Sequence, residues 1–241
     1  MSKWIFAIAL GSLCCSAHAA SVDAPALKAG DTWVYAITTE TGTQGWARRD
    51  QQISVERVST DDVLIALKQD GSSQPPTEEM RGLDWSRSRD VNGKQQIVSQ
   101  PMQFPLSEGR KWVLDYTEAN PNQLHTSETI HCKYVVTGWE DIQVPAGKFK
   151  ALKIEAEGEW SALLAPRVAA SAQAVSTAGG TAALTQSQRV VPRTISGRLY
   201  RAYWYVPALK RYVKSVEETY NTKGIRSERT TEELASSQIA S

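Results

Sequence analysis

The chain has 241 residues, with 27 Lys and Arg against 26 Asp and Glu and a formal net charge of +1 at pH 7. This balance gives the protein no electrostatic reason to bind nucleic acid or an anionic membrane surface. One β-sandwich or barrel domain can fill this length and bury a sizeable core, so we expect a single domain.

Residues 1–19 have the pattern of a secretory signal peptide. Lys3 supplies the positive charge, a short and mostly apolar run follows it, and Ala17 and Ala19 are the small residues that a signal peptidase needs. The apolar run is shorter than the ~20 residues that span a bilayer, which argues against an uncleaved membrane anchor. We therefore expect cleavage after Ala19, a mature chain of residues 20–241 without a transmembrane segment, and a periplasmic or secreted location.

Cleavage would leave Cys132 as the one cysteine of the mature chain, since Cys14 and Cys15 lie in the signal segment. A lone thiol in an oxidising compartment is typical of an intermolecular disulfide or a reactive nucleophile. However, Cys132 alternates with Ile130 and Tyr134 on one face of a predicted strand, where cysteine behaves as a small hydrophobic residue. The pattern favours a buried, inert thiol.

Period-two alternation of apolar and polar residues dominates the mature sequence, and helical periodicity is scarce. In the clearest segment, residues 152–160, every second residue is apolar or small and charged residues lie between them. A packed face and a solvated face are typical of antiparallel sheets. Similar alternation occurs at residues 33–37, 53–55 and 63–67. We predict an all-β fold, an antiparallel meander that forms a curled sheet, a half-barrel or a sandwich.

Short turn sequences separate the predicted strands. Asn92-Gly93 accepts the positive φ angles of a type I′ hairpin turn. Further turns are predicted at residues 145–147, 207–210 and 221–224, which contain Pro, Gly or Asn. Connections this short indicate that strands adjacent in sequence are antiparallel neighbours in the sheet.

Residues 161–193 differ in composition from the rest of the chain. They contain nine alanines, no acidic residue, and only Arg167, Arg189 and Arg193 as charged residues. Such a segment has little bulky apolar surface to offset the entropy of ordering it, so we predict a flexible insertion between two strands. A lid over the mouth of the sheet is the alternative, because long loops in compact domains are often functional.

The sequence shows no motif that predicts a catalytic, metal or cofactor site. The mature chain has only His125 and His131 as imidazole ligands, and no spacing typical of a zinc or calcium site occurs. His131 is adjacent to Cys132, and adjacent strand residues point to opposite faces of a sheet, so the two cannot form a catalytic pair. The sequence favours binding over catalysis. A hydrolase assembled around His125 or His131 from distant residues is the alternative.

Tryptophans are the remaining candidates for ligand contacts, because their rings offer a large contact area with few torsions to fix. Seven lie in the mature chain, and most continue apolar strand faces. Trp46 follows Gly45 in a predicted turn, and Trp85 lies between the polar residues Asp84 and Ser86. We therefore predict that Trp46 and Trp85 are exposed and bind a ligand.

Two motifs in the C-terminal half carry a family resemblance. They are Val144-Pro145-Ala146-Gly147-Lys148-Phe149 and Tyr203-Trp204-Tyr205-Val206-Pro207, the second followed by Val213-Lys214-Ser215. Over residues 105–220 the chain resembles secreted bacterial proteins of unknown function, including those labelled TapB-like. The resemblance implies a β-dominated domain and no catalytic residues.

These observations together predict an envelope protein that binds or interacts rather than catalyses. The expected partner is a hydrophobic ligand such as a lipid, a glycan of the cell wall, or an envelope protein. By analogy with curled sheets that carry acyl chains, the lipid version requires an apolar cavity open to solvent. A structural subunit that pairs through a sheet edge requires an unprotected edge strand.

Overall fold

The structure is a computed structural model that describes residues 21–165, 168–177, 180–189 and 193–240. Residues 1–19, the predicted signal segment, lie outside this part of the chain. Within the described ranges, no helix has the length and apolar character needed to cross a membrane.

The described residues form fourteen strands and two short 3₁₀ turns, at Gly42–Gln44 and Pro207–Leu209. The strands are β1 (Thr32–Thr41), β2 (Gly45–Val58), β3 (Asp62–Gln69), β4 (Thr77–Gly82), β5 (Arg87–Val91), β6 (Lys94–Ser99), β7 (Lys111–Ala119), β8 (His125–Val144), β9 (Gly147–Leu164), β10 (Val168–Thr177), β11 (Gly180–Arg189), β12 (Thr194–Val206), β13 (Arg211–Tyr220) and β14 (Arg226–Gln238). The predicted all-β class is confirmed.

Ten of these strands form one curled antiparallel sheet in the spatial order β4-β3-β2-β1-β14-β13-β12-β9-β8-β7. The chain builds it as two meanders, and β14 returns to pair with β1 so that the meanders join. Strands β5 and β6 form a separate hairpin. Its turn has the predicted geometry, with Asn92 at φ 55° and Gly93 at φ 79°.

The core lies on the concave face of the sheet. The largest fully buried side chains are Trp33, Tyr35, Tyr134, Tyr205, Ile37, Ile65, Met102, Leu106, Leu152, Ile154, Leu234 and Val55. Cys132 belongs to this buried face, as predicted. Alternation along each strand places the intervening residues on the opposite, outer face of the sheet.

A buried carboxylate ties both ends of the domain to the turn between β12 and β13. Asp31 is 0% exposed and accepts hydrogen bonds from Lys210 Nζ at 2.8 and 3.0 Å. It also accepts hydrogen bonds from the backbone N–H groups of Lys28 and Ala240, each at 2.8 Å. Trp33 donates its indole N–H to the carbonyl of Leu209 in the same turn. Residues distant in sequence are thereby held at one point.

The alanine-rich segment contains strands. Strand β9 continues to Leu164, β12 begins at Thr194, and between them β10 and β11 pair as an antiparallel hairpin. Residues 166–167, 178–179 and 190–192 lie outside the described residues. The prediction of a flexible insertion therefore stays a prediction.

The edge strand β7 is protected by side chains of the β5–β6 hairpin. Asn92 accepts a hydrogen bond from the Ala119 N–H and donates one to the Thr117 carbonyl. Gln96 donates to the carbonyl of Asp115. Since these groups would otherwise be free to pair with another chain, β7 does not offer the unprotected edge that pairing with a partner requires. The opposite edge of the sheet is β4.

Candidate functional site

A cleft of about 630 Å³ lies on the outer face, across strands β8, β9, β12 and β13. Its lining combines charged residues with two tyrosines: His131, Lys133, Glu157, Gly158, Glu159, Arg198, Leu199, Tyr200, Glu218 and Tyr220. We call it the first cleft. Its volume is within the range of small-molecule sites.

The cross-strand register brings these residues together. Lys133 lies opposite Glu157, Glu157 opposite Tyr200, and Tyr200 opposite Glu218, so one row crosses four strands. A second row places His131 opposite Glu159 and Glu159 opposite Arg198. Residues directly opposite in antiparallel strands have Cβ atoms about 5 Å apart. The cleft is therefore a product of sheet pairing and needs no loop to assemble it.

Two glycines allow the strands around the first cleft to pack closely. A Cβ on Gly158 would lie 2.3 Å from the His131 carbonyl oxygen and 2.5 Å from Cys132 Sγ. A Cβ on Gly197 would lie 1.9 Å from the Tyr220 carbonyl oxygen. The indole of Trp160, directly opposite Gly197, uses this space and donates its N–H to the same oxygen at 3.0 Å. Both positions require glycine for steric reasons.

Both tyrosines of the cleft have fixed hydroxyl groups. Tyr200 donates to Glu155 at 2.8 Å, and Tyr220 donates to Glu218 at 2.6 Å. Burial and the bond to Glu155 raise the pKa of Tyr200, while the hydrogen bond to Glu218 raises the pKa of Tyr220. Burial opposes ionisation of Glu155, but hydrogen bonds from Lys153 and Tyr200 outweigh it and lower its pKa. At neutral pH the phenols are hydrogen-bond donors, and their rings line the cleft.

Two carboxylates of the first cleft are available to a ligand. Glu157 and Glu159 are exposed, and within the described ranges neither forms an ion pair or a side-chain hydrogen bond. Arg198 lies over the Tyr220 ring at 4.9 Å from the centroid. The cleft thus presents acceptors, donors and aromatic rings side by side.

A smaller cleft adjoins the first. It measures about 350 Å³ and is lined by Glu40, Gly42, Tyr220, Ile225, Arg226 and Glu228, so Tyr220 is common to both. Arg226 joins the two regions, because it contacts Glu40 at 2.8 Å and Glu218 at 3.1 Å. We call it the second cleft.

The two histidines each have a carboxylate partner. His125 Nδ1 lies 3.0 Å from Glu128, and His131 Nδ1 lies 3.1 Å from Asp115. Among the hydrogen bonds of the described residues, neither ring contacts a serine, threonine or cysteine. In the part of the chain that the structure describes, no group of three or more His, Cys, Asp or Glu is placed to hold a metal ion. Among the described residues, each histidine ring therefore has a carboxylate partner, and no hydroxyl or thiol group is hydrogen-bonded to it.

The two tryptophans that were predicted to bind a ligand differ in exposure. Trp46 is 70% exposed, as predicted, although it belongs to strand β2 rather than to a turn. The prediction of exposure is wrong for Trp85, which is 4% exposed. Its ring packs edge-on against Trp33 with centroids 5.4 Å apart, and its indole N–H donates to the Lys210 carbonyl at 2.8 Å. Polar sequence neighbours misled the prediction, because Trp85 adopts a positive φ of 65° and turns inward.

Among the described residues, large side chains occupy the concave face, where a lipid ligand would require an apolar cavity. Two arginines lie among these side chains. Arg211 is 7% exposed and lies 4.2 Å from the Trp85 ring centroid, and Arg201 donates to the Tyr134 hydroxyl at 3.0 Å. Burial raises the pKa of Tyr134 to about 12. These features indicate a packed core of aliphatic and aromatic side chains that also holds two arginines.

Comparisons with known proteins do not identify the chain. No protein-family model matches it, and no curated protein matches its sequence. Among solved structures, a candidate lipoprotein from Parabacteroides distasonis is 12% identical, with 90% of this chain and 99% of that chain covered and a TM-score of 0.46. A candidate exported protein with a YmcC-like fold from Bacteroides fragilis is 14% identical, with 91% and 100% covered and a TM-score of 0.38. Both TM-scores are low, and neither similarity bears on function. The resemblance to TapB-like proteins stays a prediction.

Sequence reasoning missed the tyrosines of the first cleft. It assigned Glu155, Glu157 and Glu159 to the solvated face of a strand, which is where they lie. Tyr200 and Tyr220 occupy the same outer face, but nothing in the sequence aligns them with those carboxylates. Only the pairing of β9 with β12, and of β12 with β13, provides that alignment.

Proposed function

We propose that this protein is an exported, non-catalytic binding protein of the cell envelope, and that its first cleft binds a cell-wall glycan. The observation that carries the proposal is the lining of that cleft. Tyrosine rings lie beside carboxylates that are unpaired within the described residues, and beside Arg198 and Lys133. Export is supported by the signal-like pattern of residues 1–19.

Sugars match this lining for two physical reasons. A pyranose ring has an apolar face of C–H groups that can stack on an aromatic ring, and hydroxyl groups around its edge. Charged acceptors such as Glu157 and Glu159 form stronger hydrogen bonds with hydroxyls than neutral groups do. Guanidinium and ammonium groups donate in return. A lipid tail would leave all of these polar groups desolvated and without partners.

The packed concave face also favours a glycan over a hydrophobic ligand. An acyl chain needs a continuous apolar cavity, whereas Trp33, Tyr35 and Tyr205 fill the interior of the sheet. The protected edge of β7 favours binding through a face of the sheet over pairing through that edge. The polar outer face therefore supports the proposal better than either alternative.

The proposal is tested by binding of residues 20–241 to purified peptidoglycan sacculi and to soluble β-1,4-linked N-acetylglucosamine oligomers. We expect saturable binding that Glu157→Gln and Glu159→Gln weaken by about 10-fold each, since each variant removes a charged acceptor. Glu78→Gln is the matched control, because Glu78 is an exposed carboxylate on β4, outside both clefts. The proposal would be overturned if wild-type protein bound neither probe. It would also be overturned if native mass spectrometry showed a bound lipid on protein purified from its own envelope.

A further inference from the structure

We infer that the glycan site extends from the first cleft through the second cleft to Trp46, and therefore takes an extended oligosaccharide rather than a single sugar. This inference rests on the proposed function, since it concerns the same site. Three observations support it: the shared wall of the two clefts, the register that leads to Trp46, and the exposure of that tryptophan.

The side chains between the two clefts are connected by a hydrogen bond and by ion pairs. Tyr220 lines both clefts, and its hydroxyl donates to Glu218. Arg226 then bridges Glu218 to Glu40 at 3.1 and 2.8 Å. A ligand that passes over Tyr220 therefore meets carboxylate and guanidinium groups on both sides of this ring, with Arg198 over the ring in the first cleft and Arg226 in the second.

The register continues this surface to β2. Glu218 lies opposite Arg229 on β14, Arg229 lies opposite Glu40 on β1, and Glu40 lies opposite Trp46 on β2. Three strand spacings separate Glu218 from Trp46, or about 14 Å at ~4.8 Å each. Since the first cleft spans another three spacings, the whole surface measures about 29 Å along the curve of the sheet.

Trp46 is the exposed aromatic group at the far end of this surface. At 70% exposure it presents an indole that contributes little to the core. Ile225, 60% exposed, lines the second cleft together with Tyr220 and Glu40. A row of exposed apolar surfaces set among charged groups suits a polymer whose units alternate apolar faces with polar edges. A two-unit oligomer is too short to fill the first cleft and reach Trp46.

Titration with N-acetylglucosamine oligomers of two and six units tests this inference. We expect wild-type protein to bind the six-unit oligomer at least about 10-fold more tightly than the two-unit oligomer. Trp46→Ala should lower affinity for the six-unit oligomer by about 5- to 10-fold, the loss expected for one aromatic contact, and leave affinity for the two-unit oligomer within about twofold. Trp139→Ala is the matched control, because Trp139 is also exposed, at 42%, and lines neither cleft.

A third variant separates this inference from the proposed function. Tyr220→Ala should weaken binding of both oligomers, and Tyr220→Phe should restore most of it if the ring face makes the contact. If Tyr220→Ala weakens both oligomers while Trp46→Ala changes neither, the site ends at the first cleft and the extension is wrong. If neither oligomer binds wild-type protein, the proposed function fails and the extension fails with it.

Discussion

Replacement of Asp31, the buried carboxylate that contacts Lys28, Lys210 and Ala240, is the most direct test of how the two ends of the domain are held together. Asp31→Ala removes the partner of Lys210, whose side chain is 14% exposed, and leaves the backbone N–H groups of Lys28 and Ala240 without an acceptor. Breaking a buried ion pair by removing one partner costs about 3–5 kcal/mol. Because the Lys210 ammonium can turn partly toward solvent, we expect about 3 kcal/mol. For a domain of this size that lowers Tm by about 6–12 °C.

Thermal unfolding followed by circular dichroism measures this effect on residues 20–241. Asp61→Ala is the control, since Asp61 is an exposed aspartate, and its effect should stay within about 0.5 kcal/mol. The double variant Asp31→Ala/Lys210→Met should be more stable than Asp31→Ala, because it also removes the uncompensated charge. A Tm for Asp31→Ala within about 2 °C of wild type would refute the role assigned to this contact.

Three further predictions concern the core and the first cleft. In urea unfolding, Trp85→Ala should lower the free energy of unfolding by about 3–5 kcal/mol, whereas Trp46→Ala should change it by less than about 0.5 kcal/mol. Equal losses in the two variants would contradict the burial assigned to these tryptophans. Gly197→Ala should lower the free energy of unfolding by about 1–3 kcal/mol and shift the tryptophan emission, because the added methyl group meets the Tyr220 carbonyl oxygen. The neighbouring substitution Ser196→Ala should leave both unchanged. Burial raises the pKa of the Cys132 thiol, so a disulfide reagent at pH 8 should label it slowly in native protein and rapidly in protein unfolded by guanidinium. Rapid labelling of the native protein would show that the thiol is accessible.

The alternation of residues was sufficient to predict the fold class and several strand segments, and the turn residues predicted the turns. Residues 152–160 alternate so regularly that only a strand with one buried face explains them, and Asn92-Gly93 accepts a turn that few other pairs accept. The same local reasoning placed Cys132 in the core. Each of these predictions depends on contacts between near neighbours in sequence, so the sequence alone carries the information.

The candidate site depends on contacts that the sequence does not encode locally. Tyr200, Glu157 and Glu218 become neighbours only because β12 pairs with both β9 and β13 in one particular register. A shift of one residue in either pairing would send the side chains of the moved strand to the opposite face. Trp85 shows the same limit, since polar sequence neighbours suggest exposure whereas Trp33 and the Lys210 carbonyl, far away in the chain, hold it in the core.

The sequence by itself therefore determined what kind of protein this is: an all-β chain with a signal-like N-terminus, near-neutral charge and a core thiol at Cys132. The tertiary structure decided which face carries the candidate site, because strand register, and not residue type, brings the tyrosines and carboxylates to one place. It also decided that, in the part of the chain that the structure describes, large side chains pack the concave face. Side-chain packing between strands distant in the chain fills that space, and no local pattern reports it.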